Sequence, residues 1–275
     1  MKKFILISSI ATITGLAALS FRSEPQLPII QNEIPGKELP TMKNEAFKRG
    51  EVLGYRLHYG IIDAGLATLS ITDEARELGG RKTMHVVGLG VTKGSFDWFF
   101  KVRDRYETYI DEQALVPWLF LRHVDEGGYK FDQNYVFNHY NEKVNVDGKA
   151  EYPIEPNMQD MLSAFYNGRA LDYSGATIGS LYTINCFMDR EVWPLKIKFL
   201  GRENVTTDVG TFKCLKFSPL VQQGRIFKKD DDVTVWISDD KNHVVVKGEA
   251  QIIVGAVKVE LTNYSGLANA TSRID

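Results

Sequence analysis

Along most of the chain apolar and polar side chains alternate with a period of two, the repeat of a strand with one buried face. Leu53, Tyr55, Leu57, Tyr59 and Ile61 alternate with Gly54, Arg56, His58 and Gly60, and Ala67, Leu69 and Ile71 follow after Asp63-Ala64-Gly65. This predicts a hairpin whose turn uses Gly65 in the left-handed conformation. A turn at 77–81, ELGGR, leads into His85, Val87, Leu89 and Val91. Strands are also predicted at 129–140 and 143–146, with Asp147-Gly148 as a second hairpin turn. In the last third they fall at 181–188, 195–199, 211–217, 233–237, 244–246 and 251–261. Pro117, Pro194 and Pro219 stand at strand starts or ends, where a missing N–H is tolerated.

One segment changes period. Met158, Met161, Leu162, Phe165 and Tyr166 recur at helical spacing over 158–169, with Asn157 as cap, Asp160 at the capping-box position and Gly168 at the end. So wide a stripe has to pack on something, and a sheet curling around it is the simplest partner. The predicted fold class is mostly β: an antiparallel, strongly curved sheet or half-open barrel with one main α-helix packed against it.

The stretch 95–130 carries charge inside its apolar rows. Trp98, Phe100, Val102, Asp104, Tyr106, Thr108 and Ile110 share one face, and Val116, Trp118, Phe120, Arg122, Val124 and Glu126 return beside them. Pairing Ile110 with Val116 sets Tyr106 opposite Phe120, Asp104 opposite Arg122 and Phe100 opposite Glu126. An isolated charge on such a face is costly, so Asp104 and Arg122 are expected to bond each other, with Glu126 as a second acceptor. Three roles fit these residues. They can be a structural ion pair, or the polar seat of a ligand in an aromatic-lined cavity with Trp98, Tyr106 and Trp118. They can also be acid and base carboxylates, Asp104 and Glu126, of a glycan hydrolase, which needs a separation of roughly 5 to 9.5 Å.

The ends change the picture of where the protein works. Lys2 and Lys3, an apolar run over 4–19 and small residues at Ala18 and Ser20 form a secretory signal, residues 1–20, with a cut after Ser20. The run is shorter than the ~20 residues of a spanning helix, and no later run matches it, so no transmembrane span is expected after cleavage. The expected location is the periplasm. Residues 21–45, with Pro25, Pro28, Pro35 and Pro40, read as an extended linker or surface strap. Residues 46–268 read as a single β-rich domain in two portions joined by the helix, and 269–275 as a tail.

The formal net charge of −2 falls to −4 without Lys2 and Lys3, since residues 1–20 hold no acid. With no basic stripe interleaved with aromatics, no nucleic-acid partner is expected. Cys186 and Cys214 are the only cysteines. Export permits a disulfide if their strands are neighbours with facing side chains, and two buried thiols are the alternative.

Other chemistry is thin. Ser238, Asp239, Asp240 and His243 lie close together, but there is no G-x-S-x-G elbow and the dense acids fit a turn. The run KKDDD at 228–232 lacks a calcium-loop spacing. The histidines, His58, His85, His123, His139 and His243, show no metal-pair spacing, and no phosphate-binding loop occurs. No cofactor or metal is expected.

Four stretches together resemble the exported Gram-negative family called domain of unknown function 3108: GEVLGYRLHYGIIDAGLATLSI at 50–71, FKVRDRYETYID at 100–111, VGTFKCLKFSP at 209–219, and VTVWISDDKNHVVVKGEAQIIVGAVKVELTNYSG at 233–266. Val245 stands where many such sequences have proline. The resemblance implies an exported, mostly β domain without assigned catalytic residues. The expected function is an envelope-associated binding or carrier module for an apolar, amphipathic or glycan-type ligand, more in keeping with a non-enzyme. A glycan-acting hydrolase and a structural interaction module are the alternatives, and the envelope ligand or protein partner is unidentified.

Overall fold

The computed structural model describes residues 37–220, 233–251 and 256–275. The predicted signal segment 1–20, the predicted linker up to residue 36 and the run 228–232 lie outside the described residues. Fourteen strands are formed: β1 (Val52–Tyr59), β2 (Ile62–Leu78), β3 (Arg81–Thr92), β4 (Arg103–Asp111), β5 (Pro117–Glu126), β6 (Tyr129–Asn138), β7 (Lys143–Val146), β8 (Ala150–Pro153), β9 (Leu181–Met188), β10 (Glu191–Thr207), β11 (Gly210–Leu220), β12 (Val233–Ser238), β13 (Val245–Gln251) and β14 (Ala256–Ser265). Two short helices, α1 (Ser95–Phe99) and α2 (Met161–Arg169), complete the described elements.

The strands make one antiparallel sheet in the order β8-β7-β6-β5-β4-β3-β2-β1-β14-β13-β12-β11-β10-β9. Each strand pairs with its chain neighbour, β1 pairs with β14, and β8 and β9 are the unpaired ends. Because direction alternates along this order, the β1–β2 turn, α1, the β5–β6 turn and the β9–β10 turn all lie at one end of the sheet.

Turn chemistry explains most of the connections. Gly79 and Gly80 both have positive φ, as do Asp147 and Gly148, the pair of left-handed residues that a two-residue hairpin needs. The first hairpin departs from expectation. Its turn is Gly60-Ile61, with Gly60 at φ 60°, and Gly65 lies inside β2 after a bulge at Leu57/His58. A bulge absorbs the residue that the alternation alone would have put in the turn.

Helix α2 starts three residues later than its apolar stripe. Asp160 is the N-cap: its carboxylate accepts from the Leu162 and Ser163 amides, and the Ser163 hydroxyl accepts from the Asp160 amide at 2.9 Å. Met158 is instead a buried residue of an extended segment, and Asn157 has φ 62°. This segment adds to the free edge of β9: the Gln159 amide donates to Asn185 O and the Phe187 amide donates to Gln159 O, each at 2.8 Å.

Two buried contacts seat the helix. Thr108 Oγ1 donates to Asp160 Oδ2 at 2.5 Å, and Gly88 lies under Leu162, so α2 sits on the sheet face that carries the even-numbered residues of β3 and β4. At its other end the buried Arg169 guanidinium makes a two-pronged ion pair with buried Glu51, at 2.6 and 2.8 Å, and donates to Asn242 O at 2.9 Å. The sequence pattern singled out neither partner.

The largest core cluster lies beneath α2 and includes Met84, Val86, Ile110, Phe120, Tyr135 and Phe137 from β3–β6, Leu162 and Tyr166 from α2, and Phe187 from β9. A second cluster, Tyr109, Trp118, Leu119, Leu121 and Tyr140, is on the opposite face and is covered by Leu39. The described part of the predicted strap lies against the domain, Leu39 on this cluster and Met42 on the cluster beneath α2, with the Met42 amide donating to Gln113 O at 2.8 Å. The tail is also docked, through Phe212 pairing with Arg273. Cys186 and Cys214 are buried free thiols in separate clusters, and the disulfide alternative is not realised. Burial pushes both thiols up to about 12.

Candidate functional site

The predicted charged rows are brought onto one face, in a different register. Tyr106 pairs with Arg122 and Thr108 with Phe120, two residues away from the expected match. The cause is a bulge at Tyr109/Ile110, where Ile110 pairs with Pro117, together with Leu115 in the left-handed conformation at φ 51°. Asp104 and Arg122 therefore sit diagonally on the helix face rather than opposite each other.

The ion pair expected between them does not form. Arg122 Nη1 donates to Asp189 Oδ1 at 3.0 Å, and its guanidinium lies over the Phe131 ring at 4.7 Å and near the Tyr106 ring at 5.8 Å. Asp189 and Arg190 form the β9–β10 turn with φ 51° and 69°, so a left-handed pair without glycine holds the carboxylate on Arg122. The Asp189 amide also donates to the Tyr135 hydroxyl at 3.0 Å.

Asp104 accepts from the Asp125 amide at 3.0 Å and meets Glu126 as a carboxyl–carboxyl pair. Burial, then Asp104, hold the Glu126 carboxyl above the usual carboxylate range against the opposing pull of Arg122. Burial likewise raises the Tyr106 phenol. The arrangement is thus a carboxyl pair, a guanidinium and a phenol on one wall, with Arg122 Nε buried and unpartnered among the described residues.

Two predicted members are elsewhere. Trp98 is 90% exposed on α1, because the chain leaves the strand pattern at Gly94 and forms a helical turn instead of a long strand. Trp118 is fully buried on the opposite face, where its indole N–H donates to Asp111 Oδ2 at 3.1 Å. The bulge beside Pro117 turns it away from Tyr106 and Phe120.

Two recesses flank α2. The larger, about 580 Å³, opens at its C-terminal end and is charged, but its charges are engaged, Asp172 and Asp240 by the Ser174, Asn242 and Ser272 amides and the others by ion pairs. Glu45 bonds Lys43 at 2.6 Å and Lys241 at 3.3 Å, Arg202 bonds Asp239 at 3.2 Å, and Arg169 is taken by Glu51. Ser238 and His243 line no common reaction centre. The Ser238 hydroxyl donates to Asp240 and accepts from the Val244 amide, and His243 Nδ1 meets Arg169 O.

The second recess, about 150 Å³, is a groove between α2 and the sheet. Phe165 and Gly168 form one wall, and Ile184, Leu195, Ile197, Phe217, Val235 and Val245 the other. Periodicity identified these side chains as apolar but could not show that Ile184 and Phe217 are buried while Leu195, Ile197, Val235 and Val245 stay half-buried. By register the same face continues from Phe217 through Val235, Gly248, Val259 and Leu57 to Gly65. An adjoining row runs Tyr55, Ala67, Gly90 and Asp104, so small residues connect the groove's side of the sheet with the carboxyl pair. A Cβ added at Gly248 would meet only Val259 Cβ, at 3.9 Å, among the described residues.

Among solved structures, a β-barrel-like protein of domain of unknown function DUF1849 from Brucella abortus matches with a TM-score of 0.52 at 9% identity, covering 81% of this chain and 99% of that one. A DUF1089 family protein from Pseudomonas aeruginosa matches at TM-score 0.40 and 8% identity, covering 68% and 90%. The first likeness is one of fold alone. Comparison with curated proteins gave no match. No helix of the described residues is long and apolar enough to cross a membrane. The model of the family described as protein of unknown function (DUF3108) matches residues 54–262, most of the sheet and all of the groove, and the chain belongs to that family.

Proposed function

We propose that the protein is a non-enzymatic, exported binding or carrier module that holds the apolar part of an amphipathic molecule against the helix face of a curved sheet. The observation that carries this reading is the groove beside Phe165 and Gly168, whose strand walls are apolar. Burying a hydrocarbon chain there gains roughly 25 cal/mol per Å² of apolar surface removed from water. Small residues at Gly90 and Gly248 leave room for a longer chain along the same face. The Asp104, Glu126, Arg122 and Tyr106 wall offers donors and acceptors for a polar head.

A glycan hydrolase is the weaker reading. Its acid and base need roughly 5 to 9.5 Å between carboxyls, whereas Asp104 and Glu126 are in contact. That arrangement suits a shared proton better than a water held between two carboxylates.

The test is a fluorescent fatty-acyl probe titrated into protein purified without denaturant, alongside mass spectrometry of solvent extracts. Val235→Trp fills the groove at a half-buried position and should weaken the probe by about tenfold or more with little change in the unfolding midpoint. Failure of the probe to bind, together with extracts free of lipid, would count decisively against the reading.

A further inference from the structure

The end of the sheet that carries the β1–β2 turn and α1 exposes its largest apolar side chains. Ile61 is 100% exposed, Trp98 90% and Phe99 81%, with Ile62 and Phe100 close to half exposed. Exposed apolar atoms are ordinary on protein surfaces, but clustered Trp, Phe and Ile at turn tips are not. The two turns form one surface: the Tyr59 and Phe96 rings meet edge-on at 6.2 Å, and the Lys93 amide donates to Ala64 O at 3.1 Å.

We propose that this end docks on a lipid bilayer with anionic headgroups. Three arguments select that occupant. First, the side chains protrude from two separate turns, and Trp, Phe and Ile together offer roughly 500 Å², short of the roughly 800 Å² a side in stable protein–protein interfaces. A bilayer needs no complementary pocket and accepts protruding apolar tips at its headgroup boundary.

Second, the charge beside the tips is unbalanced. Asp97 pairs with Arg103 at 2.6 Å and Asp63 meets the His58 imidazole at 2.8 Å, so, counting that ring as neutral, Lys93, Lys101 and Arg103 outnumber Asp63 and Asp97 by three to two. Lys93 and Lys101 are exposed and sit in no close ion pair among the described residues, with Lys101 near enough to Asp97 to help Arg103 lower its carboxyl. Each such lysine adds attraction to an anionic surface, and its stem can lie along the apolar boundary while the ammonium stays in water. Third, an amphipathic indole suits the headgroup region, and Trp98 is the tryptophan placed to enter it.

Docking here does not depend on the groove, and the experiment separates the two. Protein purified from exporting cells, its N-terminus read by mass spectrometry, is floated with vesicles of phosphatidylglycerol and phosphatidylethanolamine or of phosphatidylcholine alone. The expected result is flotation with the anionic vesicles and a blue shift of tryptophan emission. Trp98→Phe should remove most of the shift, because Trp118 and Trp236 are already buried and Trp193, near the β9–β10 turn, is half-buried.

The triple variant Ile61→Ser, Trp98→Ser, Phe99→Ser should lower the vesicle-bound fraction by about tenfold or more while keeping its unfolding midpoint. Lys93→Glu with Lys101→Glu should lose the preference for anionic vesicles. Val235→Trp should float like the parent protein. Absence of flotation, or equal flotation of the triple variant, overturns the proposal. Lipid-independent self-association that the triple variant abolishes overturns it in favour of contact between copies.

Discussion

The two portions of the sheet follow the same alternation and finish differently. On the helix face of β3–β7, Phe120, Tyr135 and Phe137 are almost wholly buried, sealed by Met158, Tyr166 and Phe187 from outside that portion. On the same face of β10–β13, Phe199 and Phe217 are buried, but Leu195, Ile197, Val235 and Val245 around them stay half-buried. Helix α2 makes the division. Its Leu162 and Tyr166 go down onto the first portion, whereas the turn carrying Phe165 and Gly168 only borders the second. A face becomes core or groove according to what third element is laid on it, not according to how apolar its strands are.

The contrast is most severely tested at the joint. Arg169→Met leaves the Glu51 carboxylate buried without its partner, and a loss of about 3–5 kcal/mol is expected in urea unfolding. Because Arg169 ties α2 to the start of β1 and the β12–β13 loop, unfolding should stay a single transition. Two separated transitions would show that the portions are independent.

Truncations then compare the two faces directly. Phe120→Ala in the sealed portion should cost about 3–5 kcal/mol, and Ile197→Ala on the groove wall about 1–2 kcal/mol, since its site is already partly open. Equal losses would erase the distinction between core and groove.

Acid should act on the sealed portion. Glu107, on the face opposite α2, is raised by burial and lowered more strongly by hydrogen bonds from His85 at 2.6 Å and Arg105 at 2.6 Å, to about 2. Its folded value lies below its unfolded one, so its contribution is complete above about pH 4.5 and is lost as pH falls through about 2. The total is up to about 3 kcal/mol. Glu107→Gln should flatten that limb of a stability-versus-pH curve while lowering stability at neutral pH. The smallest effect is at the β9–β10 tip: Asp189→Ala removes an exposed partner of Arg122 and should change stability by about 1 kcal/mol or less.

Strand content, the helix, the hairpin turns at Gly79-Gly80 and Asp147-Gly148 and the family membership were legible in the sequence, because each rests on local periodicity or short motifs. The candidate site was legible in its residues and not in its contacts. Asp104, Tyr106, Arg122 and Glu126 do share a face, since alternation fixes faces within a strand. Their pairing failed by two residues because the turn through Leu115 sets Ile110 opposite Pro117 rather than Val116 and a bulge beside Pro117 adds a second shift, and no residue type announces either. The same bulge turns Trp118 away. Trp98 was misplaced because a five-residue helical turn is too short to impose its own period.

What the sequence determined by itself is local: which faces are apolar, where the chain reverses, and that the period changes to helical near Met161–Arg169, whereas the second short helix at Ser95–Phe99 was not foreseen. Tertiary structure alone decided that Arg122 chooses Asp189 over Asp104, that Arg169 finds Glu51, and that Cys186 and Cys214 remain apart. These partners are 67, 118 and 28 positions apart in the chain, or unjoined, and meet only through the order of fourteen strands. Local periodicity carries no information about that order, and an ion pair goes to whichever opposite charge the order brings within reach.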